Sequence, residues 1–328
     1  MQGATDNRPG GRAWDNLPPS VSGPTERGLL QRLKSRVMRL VPRPLVRALA
    51  RPYIAGESRA DAVELVRRLK DTRDLFSTVD VLGEDIRDPA EAGEMLDEYI
   101  AILDDLGASP HANISVKLSA LGQALDEELC ARNLDLLLAR AARYGQFVRF
   151  DMEDHTTTDS TLRLFRRFVG KYPKIGPVLQ SRLHRTEQDV RDLAPYKPNV
   201  RLCIGIYREP PDIALVDKRE MKQRMLRLLE MMWSNGQYVG IATHDEAVIH
   251  NAVDLADRMG KSAADYEVQM LLGVPRSQIQ KEMQRRGVKV RLYVPYGRQW
   301  YAYCLRRLEG NPEMARMVLG NLLNWRRG

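Results

Sequence analysis

The chain has 328 residues, 51 of them basic and 43 acidic, with a formal net charge of +8 and three cysteines. No apolar run reaches the roughly 18 residues a membrane span needs, and Cys130, Cys203 and Cys304 stand too far apart for a CxxC zinc pair or a disulfide framework, as in a reducing compartment. The excess charge is local: eight basic residues and no acid lie between Arg27 and Gly56, and the remaining 43 basic residues match the 43 acidic ones, so a neutral body argues against nucleic acid as a partner.

Residues 1–26, rich in Gly, Pro, Asn and Ser, read as a disordered tail. Their Asp and Glu do not suit a cleaved targeting peptide, so a cytoplasmic location is expected. Residues 27–74 read as a basic helical arm. Its stripe of Leu30, Leu33, Val37, Leu40 and Val41 can pack on the body or lie peripherally on the inner membrane surface. At the end of the arm Ser58 caps a helix over 59–73, with Asp61 in its first turn. A repeating pattern then fills 75–328. Strands are predicted over 75–82, 112–118, 147–151, 175–179, 200–207, 238–243, 266–272 and 288–294. Helices are predicted over 88–107, 126–144, 158–169, 186–193, 217–233, 245–259 and 277–286, with an eighth after Gly297. Gly107, Gly145, Gly170, Gly236, Gly260 and Gly287 mark helix ends independently of hydrophobicity. Eight strands each followed by a helix is the count of an α/β, TIM-like (βα)8 barrel, here with an N-terminal helical arm.

Barrels carry their chemistry at the C-terminal ends of the strands. Those ends hold Asp80, Lys117, Asp151 with Glu153, Gln180, Tyr207, Thr243 with His244, Gln269 and Tyr293, while Arg201 lies near the start of the fifth strand. A buried charge needs a partner, so Lys117 and Asp151 on neighbouring strands are expected to pair. Pro295 and Gly297 end the eighth strand in a turn. In the helix beyond, Tyr301, Cys304, Leu305 and Leu308 set the apolar face, so Arg306 and Arg307 cannot both point to solvent. Two guanidiniums beside the Tyr293 phenol make a multi-donor clamp for a carboxylate. The alternative is a solvated Arg-Arg step.

Other chemistries fit less well. Asp151, Glu153, His155, His184 and His244 could ligate a metal in a barrel lyase or hydrolase, but neither HxH nor HExxH occurs. Gly260-Lys261-Ser262 lacks the preceding glycine of a phosphate loop, where Leu255 stands, and no GxGxxG occurs.

The successive strand ends resemble the proline dehydrogenase family. The resemblance is carried by Ser115-Val116-Lys117-Leu118-Ser119-Ala120-Leu121-Gly122, Phe150-Asp151-Met152-Glu153, Val200-Arg201-Leu202-Cys203-Ile204-Gly205-Ile206-Tyr207, Ala242-Thr243-His244-Asp245, and Tyr293-Val294-Pro295-Tyr296-Gly297 through Arg306-Arg307. It implies a flavin-binding barrel that uses FAD to oxidise L-proline to Δ1-pyrroline-5-carboxylate and passes the electrons to a quinone. The next dehydrogenase of the pathway would then reside on a separate chain.

By motif match, Lys117, Arg306 and Arg307 would hold the substrate carboxylate, Tyr293 would pack on the pyrrolidine ring, and Leu271 would contribute to an apolar floor. Asp151 would orient Lys117, and Arg201 would sit beside the flavin. Met152, Gln180, Ile204, Gly205, Ile206, Thr243 and His244 would line the cofactor, and Glu57 resembles an acid that closes the site through an ion pair with the flavin-side Arg201. No general base for the amine stands out. The chain departs from the family pattern at Ile204, where a lysine is usual, and at Gly310, where a glutamate is usual and Glu309 stands one residue early. These departures leave open a degenerate barrel with a membrane-binding arm.

Overall fold

Short buried runs, most of them followed by an amphipathic run with an acidic cap, build eight parallel strands wrapped by helices. A computed structural model describes residues 51–83, 86–301 and 303–304. The strands are β1 (Phe76–Val81), β2 (Ala112–Lys117), β3 (Val148–Asp151), β4 (Ile175–Gln180), β5 (Val200–Cys203), β6 (Val239–Ala242), β7 (Tyr266–Leu271) and β8 (Lys289–Tyr296). They pair in chain order, and β8 pairs with β1, Tyr293 opposite Thr78, to close the barrel.

Helix α1 (Arg59–Arg73) precedes β1. The connections carry α2 (Pro89–Leu106), α3 (Glu127–Arg143), α4 (His155–Val169), α5 (Thr186–Leu193), α6 (Lys218–Ser234), α7 (Glu246–Arg258) and α8 (Ser277–Arg285). Helical residues resume at Trp300. Ser58 and Asp61 form a reciprocal capping box, and Asp88, Asp126, Asp154, Asp217 and Asp245 each accept first-turn N–H groups. Each such cap contributes about 1 kcal/mol.

Three boundaries differ from expectation by more than one residue. Helix α4 starts at His155, before the predicted 158, because the Asp154 carboxylate caps Thr156 N–H at 3.0 Å. Strand β5 stops at Cys203: Gly205 turns the chain at φ +104°, and the Ile204 carbonyl is taken by Arg182 N–H. Strand β8 runs through Pro295 to Tyr296, where the Pro295 carbonyl accepts Ala55 N–H at 2.8 Å and the Gly56 carbonyl accepts Gly297 N–H at 3.1 Å. The segment before α1 is thereby tied to the mouth end of β8.

The core lies between strands and helices. Val79, Ile114, Val116, Phe150, Leu202, Ile241, Val268 and Val294 are fully buried against helix residues such as Leu103, Leu134, Phe165, Leu229 and Ile249. Truncating one of these leucines to alanine costs about 2–5 kcal/mol. Ala62, Leu65, Val66 and Leu69 of α1 join the same cluster, so this end of the expected arm is barrel shell; residues 27–50 lie outside the described residues.

Candidate active site

A parallel strand covered on both faces ordinarily reads as a continuous apolar run. Here alternate positions are polar: Thr78 and Asp80, Asn113, Ser115 and Lys117, Arg149 and Asp151, Glu267 and Gln269, Arg291 and Tyr293, with Arg201 on β5. Contacts between strands that are not neighbours put these side chains inside the barrel. Arg201 reaches Asp151 on β3 at 2.5 Å, Ser115 on β2 at 3.3 Å and Gln269 on β7 at 2.6 Å. Tyr293 on β8 donates to Asp151 Oδ2 at 2.7 Å. Two glycines make the room: a Cβ on Gly176 would stand 2.7 Å from Arg149 Nη1, and one on Gly240 would stand 2.3 Å from Gln269 Nε2.

The polar side chains form one continuous path. Lys117 Nζ lies 2.9 and 2.8 Å from the two oxygens of Asp80 and 3.4 Å from the Tyr293 hydroxyl. From Tyr293 the path runs through Asp151, Arg201 and Gln269 to Glu267, which accepts from Gln269 at 2.6 Å and from Arg291 at 2.7 Å. The expected pairing of Lys117 with Asp151 is corrected here. Although the two are register partners across β2 and β3, both Asp80 oxygens face the ammonium, while Asp151 takes the planar guanidinium of Arg201 and the phenol of Tyr293.

Charge states follow from these contacts. Burial pushes the Asp151 carboxyl up, but Arg201, Lys117 and hydrogen bonds from Ser115 and Tyr293 outweigh it and hold the group below the ordinary carboxylate range. Glu267 behaves alike, with Arg291 overruling burial. Burial, then the charges of Asp151 and Asp80, drives the Tyr293 phenol far above its usual value, so it stays protonated and donates. Deeper in the barrel Arg149 donates to the carbonyls of Pro177 and Asn199 at 3.1 and 2.5 Å; burial, then Arg201, hold it below its ordinary value. Among the described interior side chains, Lys117, Arg149, Arg201 and Arg291 outnumber Asp80, Asp151 and Glu267 by one charge. That balance suits an anionic ligand.

The other predicted residues gather around the mouth, at the strand ends. Met152 is buried next to Asp151, and Glu153 accepts from Ser119 Oγ at 2.8 Å. Gln180 donates to the Glu153 carbonyl at 2.7 Å, while its Oε1, like the Nε of Arg182, is buried without a hydrogen-bond partner. Both border Gly205, where a Cβ would stand 2.3 Å from Gln180 Oε1. An orphaned acceptor and donor beside a bare backbone fit a polar ring ligand bearing its own donors and acceptors. The donor and acceptor edges of a flavin ring meet that description.

His244 Nε2 accepts Leu271 N–H at 2.8 Å, so its proton sits on Nδ1, and Thr243 Oγ1 accepts Asp245 N–H at 3.2 Å. Ile204 is half-buried against the core, without the usual lysine's charge, and Ile206 is exposed. Tyr207 gives its carbonyl to Arg182. Glu57 accepts Trp300 Nε1–H at 3.1 Å, while Arg201 is held by Asp151, Ser115 and Gln269. Arg306, Arg307, Glu309 and Gly310 lie outside the described residues. The histidines raised as metal ligands are engaged separately, His155 with Glu209, His184 with the Pro211 carbonyl and His244 with Leu271.

Sequence reading missed Ser115, Arg149, Glu267 and Arg291 as parts of this path. The signal was present in the alternation, since each shares parity with a strand-end residue already singled out: Ser115 with Lys117, Arg149 with Asp151, Glu267 with Gln269, Arg291 with Tyr293.

Comparison with known proteins is consistent along the chain. The proline dehydrogenase family model matches residues 62–204 and 217–318. Proline dehydrogenase of Deinococcus radiodurans is 38% identical over 312 residues, covering 89% of this chain and 98% of the relative. Proline dehydrogenase 1 of Bacillus subtilis strain 168 is 34% identical over 275 residues, covering 84% and 90%. Among solved structures, proline utilization A of Bdellovibrio bacteriovorus, inactivated by N-propargylglycine, superposes with a TM-score of 0.73 at 23% identity, over 80% of this chain and 32% of that one. Proline utilization A of Corynebacterium freiburgense gives 0.71 at 23% identity, over 89% and 34%. The chain thus spans about a third of those longer proteins, and that likeness concerns the barrel fold alone. With a family model covering most of its length and relatives matched nearly end to end, the chain belongs to the proline dehydrogenase family.

Proposed function

We propose that this protein oxidises L-proline to Δ1-pyrroline-5-carboxylate with FAD as its cofactor. The observation that carries the reading is the buried path joining Lys117 and Asp151, at the C-terminal ends of β2 and β3, with Tyr293 and Arg201, and its surplus positive charge. Bound FAD would accept the hydride that leaves the ring carbon next to nitrogen, while the amine gives up a proton. Around the cofactor, Met152, Gln180, Ile204, Gly205, Ile206, Thr243 and His244 would form the cradle, and Gln180 Oε1 and Arg182 Nε would find partners there.

Arg201, fixed from three sides by Asp151, Gln269 and Ser115, holds a positive charge that needs no reorganisation when negative charge develops beside it. Lys117, with Arg306 and Arg307 from the resemblance, would clamp the substrate carboxylate. The Tyr293 ring and Leu271 would bound the pyrrolidine, and Glu57 would act as the gate. Asp151 keeps Tyr293 and Arg201 in place and excludes alternative rotamers of both.

Electrons would pass to a membrane quinone, reached through peripheral contact of the basic arm over 27–51 with an anionic inner-membrane surface, the protein otherwise being cytoplasmic. A dehydrogenase on a separate chain would take the product. Deleting residues 1–51 is expected to lower vesicle binding in low salt, and unchanged binding removes the membrane part of the reading. The main test is the visible spectrum of the purified protein before and after anaerobic L-proline. Flavin bands that bleach support the reading; a flavin spectrum indifferent to proline refutes the substrate, and a colourless protein that FAD cannot reconstitute refutes the cofactor.

A further inference from the structure

The family resemblance assigns no role to Asp80, yet it is the fully buried carboxylate at the mouth end of β1. Both its oxygens face Lys117 Nζ, at 2.9 and 2.8 Å. Both oxygens thus lie within hydrogen-bond range of the ammonium, which also stands 3.4 Å from the Tyr293 hydroxyl. Because that hydroxyl donates onward to Asp151 at 2.7 Å, its lone pairs are the side that faces Lys117, and the donors run in one direction. Among the described residues, the titratable groups around the ammonium include Asp80 on β1, Asp151 on β3, Tyr293 on β8, the Tyr99 phenol of α2 and Arg201 on β5.

We propose that Asp80 is a positioning residue, which holds the Lys117 ammonium charged and in one rotamer so that it meets a substrate carboxylate without rearranging. The inference rests on the proposed function, in which Lys117 contacts that carboxylate. A lysine head group on a four-carbon stem otherwise loses rotamer freedom when the ligand arrives, and an anion already in place removes that cost from binding. The same anion favours the charged form of the lysine as pH rises.

The test is calorimetric titration of the purified protein with cyclopentanecarboxylate, a five-membered-ring carboxylate with no amine to oxidise, near pH 7 and about pH 9. Asp80→Asn is expected to weaken binding about ten-fold near neutrality and further in alkali. Its KM for proline should rise by the same factor, with kcat changed less. Wild-type affinity in Asp80→Asn at both pH values overturns the inference. A wild-type protein that does not bind the carboxylate overturns instead the reading beneath it. Should Asp80→Asn fail to fold, Lys117→Met is compared with Lys117→Met/Asp80→Leu, which buries no unpaired charge. Equal affinity is expected, and a further loss in the double variant means that Asp80 acts otherwise than through Lys117.

Discussion

Replacing Asp151 by alanine tests whether the interior path is one coupled unit. In the native protein Asp151 accepts from Arg201 at 2.5 Å and from Tyr293 at 2.7 Å, and Arg201 is otherwise held by neutral groups, Gln269 and Ser115. Removing the carboxylate leaves a buried guanidinium facing a surplus of cations. Breaking a buried pair from one side costs about 3–5 kcal/mol. At about 2 °C per kcal/mol for a chain of this size, the melting midpoint should fall by roughly 6–10 °C. Asp151→Ala/Arg201→Met removes both charges, so the double variant should recover most of that loss, giving a coupling of about 2–3 kcal/mol in a double-mutant cycle. The sign with pH is fixed as well. The folded-state carboxyl lies below its unfolded value, so its contribution is complete above the unfolded value near pH 4 and fades as pH falls through the folded one. The gap between wild type and Asp151→Ala therefore narrows below about pH 4. Thermal unfolding of the four proteins across pH is the assay. Additive losses, or a gap that widens in acid, refute the reasoning.

Gly205→Ala would force a side chain onto φ +104° with its Cβ 2.3 Å from Gln180 Oε1; it should cost about 1–3 kcal/mol and lower the flavin bound per chain, read by absorbance. Tyr293→Ser removes the phenol that crowds a ring hydroxyl, so the ratio of 4-hydroxyproline to proline turnover should rise, and an unchanged ratio contradicts Tyr293 as the ring contact. Burial pushes the Cys130 thiol up to about 12, so thiol reagents near pH 8 should leave it unlabelled until the protein unfolds, as mass spectrometry of quenched samples would show.

Much of the fold was legible because its punctuation is local. The Ser58-Asp61 box, the Asp88-Pro89 start and the glycines after helices act within a few residues, and the strands they bound came out nearly in place. Two of the misplaced ends depended on distant partners: β5 ends where Ser181 and Arg182 N–H groups take the carbonyls of Cys203 and Ile204, and β8 extends where Ala55 N–H donates to the Pro295 carbonyl. The site was legible in membership more than in pairing. Lys117, Asp151, Arg201 and Tyr293 stand on one interior path, whereas partner choice depends on side-chain reach across the barrel, which register alone does not specify. Lys117 and Asp151 are neighbours on paper, yet the ammonium turns to Asp80 on the other flank.

The same path explains why the barrel tolerates such an interior. Buried ion pairs seldom stabilise a protein relative to apolar residues of the same volume, because desolvation offsets their attraction. An apolar filling, with a residue larger than glycine at 240, would make the more stable core. Instead the glycines clear space for Arg149 and Gln269, and each charge is met by a group from another strand. What that arrangement supplies is rigidity of charge: Arg201 is held by Gln269 and Ser115 as well as by Asp151, and Tyr293 cannot turn without losing its bond to Asp151. A cation that cannot relax away is worth most where negative charge appears only transiently, so the stability given up in the interior is recovered as preorganisation at the mouth.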